Sequence, residues 1–171
     1  MNGENEKSAV LIRPETPDAF HALAERIAVT DVIYRYASTI DRRDLAGLRE
    51  TLHDDIEAKY GNGDWIRGGD ALLAWIDSAT EGTVWQHHLL SVYHVEVVGD
   101  QANALVYHTS HQVFAHDPET VCVLVARYHN QLTRTSHGWR ISRLLFELLW
   151  GDQRQDITGY LAAVGGRSPA L

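Results

Sequence analysis

Cysteine is almost absent: the 171 residues contain one, Cys122, inside the apolar run "VCVLVA". A single thiol cannot close a disulfide within the chain, so no crosslinked framework supports the fold. A reduced, cytoplasmic setting is the simplest reading. Cys122 itself reads as a small core hydrophobe rather than a nucleophile. Basic charge is also in short supply, with 15 Lys and Arg against 23 Asp and Glu, a formal charge of −8. That balance, with no basic stripe, argues against nucleic acid or an anionic membrane as partner. No apolar run reaches transmembrane length. The opening "MNGENEKSAV" is expected not to be a secretion signal, because it has no basic head and no long apolar middle. A Gly-x-Ser-x-Gly elbow is missing, which disfavours a Ser-His-Asp hydrolase. "VVGDQA" is a turn rather than a phosphate loop.

What is present fits one soluble α+β domain. Hydrophobic residues make up 44% of the chain and charged residues 22%, enough for a single sizeable core. Residues 1–17 are expected to be a flexible arm, 18–155 the folded domain and 156–171 a C-terminal tail. "TPDAFHALAERIAVTDVIYRYASTID" reads as a first helix capped by Thr16 or Asp18. Val29, Ile33, Tyr36 and Ile40 give it a buried stripe. "DLAGLRETLH" predicts a short second helix and "GDALLAWIDSAT" a third. "DIEAKYG" and "DWIRG" predict two strands around the turn "GNGD". After Thr83 the chain alternates in four long segments. They divide at Gly99-Asp100, at a break placed at Pro118 and at Ser136-His137-Gly138. Helices first and antiparallel-looking strands afterwards define the class.

Two features carry chemistry. Asp41 closes the first helix, where a carboxylate meets the negative end of the helix dipole. Two partners for it are open: Arg42 and Arg43 in the solvated turn "DRRD", which sequence physics favours, or a histidine across the core. The second feature is "TVWQHHLLSV". Successive strand side chains face opposite ways, so only one of His87 and His88 can enter the interior. Both alternating sets are mixed, and periodicity alone leaves the choice open. A metal reading of "HTSHQVFAHD" is weak, since an i, i+3 pair on a strand points to opposite faces.

In order and spacing, "IAVTDVIYRYASTIDRRDLAGLRETLHDD", "HLLSVYHVEVVGDQA", "ARYHNQLTRTSHGWRIS" and "LLWGD" resemble the SnoaL-like branch of the nuclear-transport-factor-2-like superfamily. The resemblance covers residues 20 to 152 and is strongest to the scytalone dehydratase and bile-acid 7α-dehydratase group. It implies a cone: N-terminal helices on a strongly curved, mostly antiparallel sheet, with a histidine–aspartate pair in its mouth. Asp41 occupies the place of the family aspartate. The family histidine lies seven residues before the start marked by Val95-Glu96, which selects His88. Tyr36 matches a tyrosine that the dehydratases place beside the substrate oxygen, and Tyr60 falls where the bile-acid enzyme carries its second pocket tyrosine. The implied activity is a cofactor-independent, dehydratase-like elimination, with His88 as general base acting on a small, cyclic or aromatic hydroxylated molecule. No metal or organic cofactor is implied, and a homo-oligomer is, with a trimer favoured over a dimer.

The chain also departs from the group. Leu148 stands where the bile-acid enzyme has an arginine, and no histidine among His108, His111 and His116 falls on the spacing of a second catalytic one. If Ala102 and Ala104 face inward, His108, Ser110, Gln112 and Phe114 follow them as pocket residues. Trp85 and Trp150, with Trp65 and Phe146, are further expected walls. An isomerase, cyclase or epoxide hydrolase using the same pocket remains the alternative, beside a non-catalytic binding or dioxygenase-β-like subunit.

Overall fold

The computed structural model describes residues 17–152. The expected arm, the tail and the Thr16 cap lie outside the described residues. Asp18 sits in the first turn of helix α1 (Pro17–Asp41) rather than capping it. Val29, Ile33, Tyr36 and Ile40 are all buried along α1, the stripe that their spacing predicts. None of the described helices is long and apolar enough to cross a membrane.

Helix α2 (Leu45–Arg49) is shorter than expected. Asp44 caps it by accepting from the Gly47 N–H at 2.9 Å, and buried Leu48 anchors it. The segment expected to prolong it, Leu52 and His53, instead begins strand β1 (Leu52–Tyr60). Burial decides this: Leu52 reaches the core, and the Thr51 carbonyl accepts from Ile141 N–H as the chain enters the sheet. Strand β2 (Ile66–Arg67) pairs with β1, and helix α3 (Gly69–Ala79) follows.

Four long strands come next: β3 (Thr83–Val98), β4 (Gln101–Phe114), β5 (Asp117–Thr135) and β6 (Gly138–Gly151). Pro118 is not the break. The reversal falls at Ala115–His116, with Phe114 opposite Asp117, and Pro118 lies inside β5. The sheet order is β2-β1-β6-β5-β4-β3, with every pairing antiparallel except β1 with β6. This is the α+β cone, helices over a curved mixed sheet. Register shifts along the β3–β4, β4–β5 and β5–β6 pairs mark bulges, which bend strands and increase their twist.

The inner face is set by period-two alternation. Ala102, Ala104, Val106, His108, Ser110, Gln112 and Phe114 are all buried along β4, as their parity predicts. On β5 the same face carries Cys122, Leu124, Ala126, Tyr128, Asn130 and Leu132. Cys122 is a buried free thiol whose pKa burial raises to about 11, as a core hydrophobe requires.

Candidate active site

The turn after α1 determines where Asp41 points. Arg43 has a left-handed backbone (φ 53°), and the Arg43 and Asp44 N–H groups cap the Ile40 and Thr39 carbonyls. The chain therefore leaves the helix sharply just beyond Asp41. The neighbouring arginines are engaged elsewhere. Arg43 donates to Asp77 at 2.6 Å and to the Thr80 carbonyl at 2.7 Å, while Arg42 lies 3.9 Å from Asp44. Asp41 takes the other partner, across the core.

That partner is His88. Its Nδ1 lies 2.5 Å from Asp41 Oδ1, and its backbone N–H donates to Asp41 Oδ2 at 3.0 Å. Strand β3 is at the sheet edge, so alternate N–H groups along it lack a strand partner, and Asp41 accepts from one of them. Gln86, two residues earlier, donates from Nε2 to the Ile40 carbonyl at 2.6 Å. The last turn of α1 is thus tied to β3 at two points. The negative helix end is met by an amide donor, and the carboxylate by the histidine. An ionised carboxylate only accepts, so Nδ1 donates in this contact, and in the neutral ring the lone pair is then on Nε2. His88 Nε2 has no partner among the described residues, and the side chain is 7% exposed.

The ring borders a small cavity. Tyr36 and Ile40 come from α1, Tyr60 from β1, Gln112 and Tyr128 from the sheet. Trp75, Ile76, Ala79 and Thr80 close the space from α3. The room for the centres of water molecules is ≈ 30 Å³, enough for about two waters. A ring-sized occupant requires the walls to part. The Tyr36 and Tyr60 hydroxyls are 2.5 Å apart, so one donates to the other. Trp75 stacks on Tyr60 with ring centres 4.3 Å apart, and the Tyr128 ring meets Tyr36 edge-on at 6.2 Å.

Behind His88 lies His108, stacked on it with centroids 5.0 Å apart and packed against Tyr128 and Phe146. Burial, and then the nearby His88, hold His108 well below the ordinary imidazole range, so it is neutral. Neither of its ring nitrogens has a hydrogen-bond partner among the described residues.

The structure therefore brings His88, Tyr36, Tyr60 and Gln112 around one space, with Asp41 bonded to His88 and His108 and Ser110 buried beside Gln112 on the inner face of β4. His87 points the other way and stacks on His111 across the outer face at 6.0 Å. The expected aromatic walls are displaced. Trp85 has the parity of His87, not of His88, and is 50% exposed on the outer face. Trp150 lies opposite Val125 on that same face and is 44% exposed. Phe114 is buried, but in a satellite cluster with Cys122 and Leu124 rather than among the residues that line the cavity. Phe146 belongs to the core behind His108, and Trp65 lies under the Arg143 guanidinium. The aromatic walls are Trp75 and Tyr128, which sequence reasoning passed over. Tyr128 shares the inward parity of Leu124 and Ala126, and Trp75 adjoins the buried Leu72–Ile76 stripe of α3. Both signals were readable.

Among known proteins, the SnoaL-like domain model matches residues 21–144. An uncharacterized protein of Mycobacterium tuberculosis is 27% identical over 122 residues, covering 71% of this chain and 83% of that protein. A hexachlorocyclohexane dehydrochlorinase of the LinA-type3 form, from Novosphingobium barchaimii, superposes with a TM-score of 0.68. It is 18% identical over 76% of this chain and 90% of its own. A protein from Novosphingobium aromaticivorans, provisionally assigned as a scytalone dehydratase, superposes with a TM-score of 0.71. It is 16% identical over 78% of this chain and 89% of its own. At these identities the structural likenesses speak for the fold, whereas the domain match spans most of the chain. The chain belongs to the SnoaL-like domain family.

Proposed function

We propose that this protein is a cofactor-independent lyase that removes water from a small, cyclic or aromatic hydroxylated molecule, with His88 as general base. The observation that carries this reading is the 2.5 Å contact between His88 Nδ1 and Asp41, with the His88 ring lining a small cavity. A carboxylate on one ring nitrogen holds the tautomer, orients the ring and stabilises the imidazolium that forms. Dehydratase and dehydrochlorinase names among the structural neighbours favour the same class.

The step balances without an added reagent. His88 Nε2 takes a proton from a carbon next to a carbonyl. The C–H electron pair becomes the new double bond as the neighbouring C–O bond breaks. The imidazolium returns the proton to the departing hydroxyl, water leaves and the base is reset. The Tyr36–Tyr60 hydroxyl pair hydrogen-bonds the carbonyl oxygen, where negative charge develops. Positioned acid–base groups of this kind typically contribute about a hundredfold to ten-thousandfold.

An isomerase would use the same groups and differ in its product, which retains the elements of water. The test is a screen of hydroxylated aromatic and polycyclic ketones for loss of water, followed by variants of the active pair. His88→Ala abolishes turnover and Asp41→Asn lowers it by about a hundredfold or more if the reading holds. Unchanged turnover in both variants refutes it.

The outer sheet face exposes Trp85, Leu89, Tyr93 and Trp150 together. Large exposed apolar patches mark association sites, and a homotrimer packed through this face is part of the proposal.

A further inference from the structure

The inner wall beside His88 carries several buried polar groups that no protein group pairs among the described residues. Gln86 Oε1 and Gln112 Oε1 are both buried with no partner among the described residues, as are Ser110 Oγ and both nitrogens of His108. Gln86 and Gln112 lie directly opposite each other on β3 and β4, a spacing that brings Cβ atoms to about 4.5–5.5 Å. Two amide oxygens therefore stand on neighbouring strands with no donor within bonding distance among the described residues. The amide of Gln86 is oriented by its bond from Nε2 to the Ile40 carbonyl, so its oxygen is turned from the helix. Buried polar groups left unpaired cost about 1–3 kcal/mol each, and a cluster of them on one wall calls for an occupant.

Gln112 is the member of this set that lines the cavity, and it is 1% exposed. Its place relative to the base follows from register. On β4, Gln112 pairs with Gln86, Ser110 with His88, and His108 with Leu90. Towards His108 lie Tyr128 and, edge-on to it, Tyr36 of the hydroxyl pair. Gln112, Gln86 and Ile40 are on the opposite side. His88 thus stands between two polar poles, tyrosine hydroxyls on one side and a glutamine amide on the other.

We propose that Gln112 forms a second polar subsite, which takes a hydroxyl of the substrate on the side of His88 remote from the Tyr36–Tyr60 pair. This rests on the lyase reading and narrows its substrate class. The molecule is a cyclic β-hydroxy ketone that carries, besides the departing hydroxyl, a further oxygen across the ring from the carbonyl. Its carbonyl accepts from the tyrosines, the acidic C–H faces Nε2, and the remote hydroxyl pairs with the Gln112 side-chain amide. Gln112 is a specificity-determining group; the proton transfer belongs to His88.

The test uses two inert ketones, 4-hydroxycyclohexanone and cyclohexanone, with affinities measured by ligand-observed NMR titration. Hydrogen–deuterium exchange at the ketone's α carbon in D2O is followed in the same samples. The wild-type protein binds the hydroxylated ketone about tenfold more tightly, the worth of one good hydrogen bond. Gln112→Met, near in shape but unable to pair, binds both within about twofold, and Gln112→Leu repeats the result should the first variant not fold. His88→Ala retains the preference and loses exchange. Equal affinities in the wild-type protein overturn the subsite, as does a preference that survives both Gln112 variants or the failure of either ketone to bind. A preserved preference without exchange in the wild-type protein leaves the subsite standing and counts against the base.

Discussion

His108 gives the fold a sensitivity to acid that one substitution removes. The ring is 3% exposed and packed against His88, Tyr128 and Phe146, with no hydrogen-bond acceptor at either nitrogen among the described residues. Burial and the His88 ring together lower its affinity for a proton. The unfolded chain has no such restraint and binds a proton at the ordinary imidazole value of about 6.5. Between that value and the depressed folded value, the unfolded state holds one more proton than the folded state. Stability is therefore fully present above about pH 6.5 and declines as pH falls. From pH 7.5 to 5.5 one such group removes about 1.4 kcal/mol, a lowering of melting temperature of about 3–5 °C at this chain length. Thermal and urea unfolding followed by circular dichroism across that range measure it, in the wild-type protein and in His108→Leu. Carboxylates with lowered values, such as Glu25 beside Arg134 and Trp139, act at lower pH and do not confuse the comparison. The variant loses about 1.4 kcal/mol less than the wild-type protein over this interval. Equal pH slopes for the two proteins refute the buried neutral imidazole.

Two further predictions concern the hydroxyl pair and the assembly. Tyr36→Phe and Tyr60→Phe each lower turnover, and the double variant falls short of the product of the two effects, because each hydroxyl acts through a contact of 2.5 Å with the other. Fully multiplicative effects on kcat contradict that coupling. Light scattering of the wild-type protein gives three times the 19.2 kDa chain mass, and Trp85→Glu on the outer sheet face dissociates it; a monomer that persists at high concentration rules out the association.

How much of this was readable in the chain depends on the kind of signal. The buried stripe of α1 and the inward row of β4 follow from strict periods of about 3.6 and two residues, and those elements stand where their patterns put them. The ends of α2 and β5 were less legible. Leu52 and Pro118 are placed by a parallel partner strand and by a turn, neither of which is encoded locally. The His87–His88 choice shows the limit most clearly. Alternation states that the two diverge without saying which ring enters; the family spacing selects His88, and the docking of α1 on the edge of β3 is the physical reason. Trp85 shares a face with His87, so the selection of His88 by itself turns Trp85 outward. The pairing of Asp41 with His88 rather than with Arg42 or Arg43 likewise depends on contacts 47 residues apart in sequence. Local charge favoured the arginines. The left-handed turn at Arg43 and the engagement of its guanidinium by Asp77 and Thr80 removed them.

The most direct measurement is the nitrogen-15 NMR spectrum of the His88 imidazole, assigned by its disappearance in His88→Gln and compared with Asp41→Asn. The account expects the neutral ring to carry its hydrogen on Nδ1, bonded to Asp41, with Nε2 bare, and expects that preference to be lost when the carboxylate becomes an amide. A hydrogen resident on Nε2 in the wild-type protein, or a tautomer indifferent to Asp41→Asn, would contradict it.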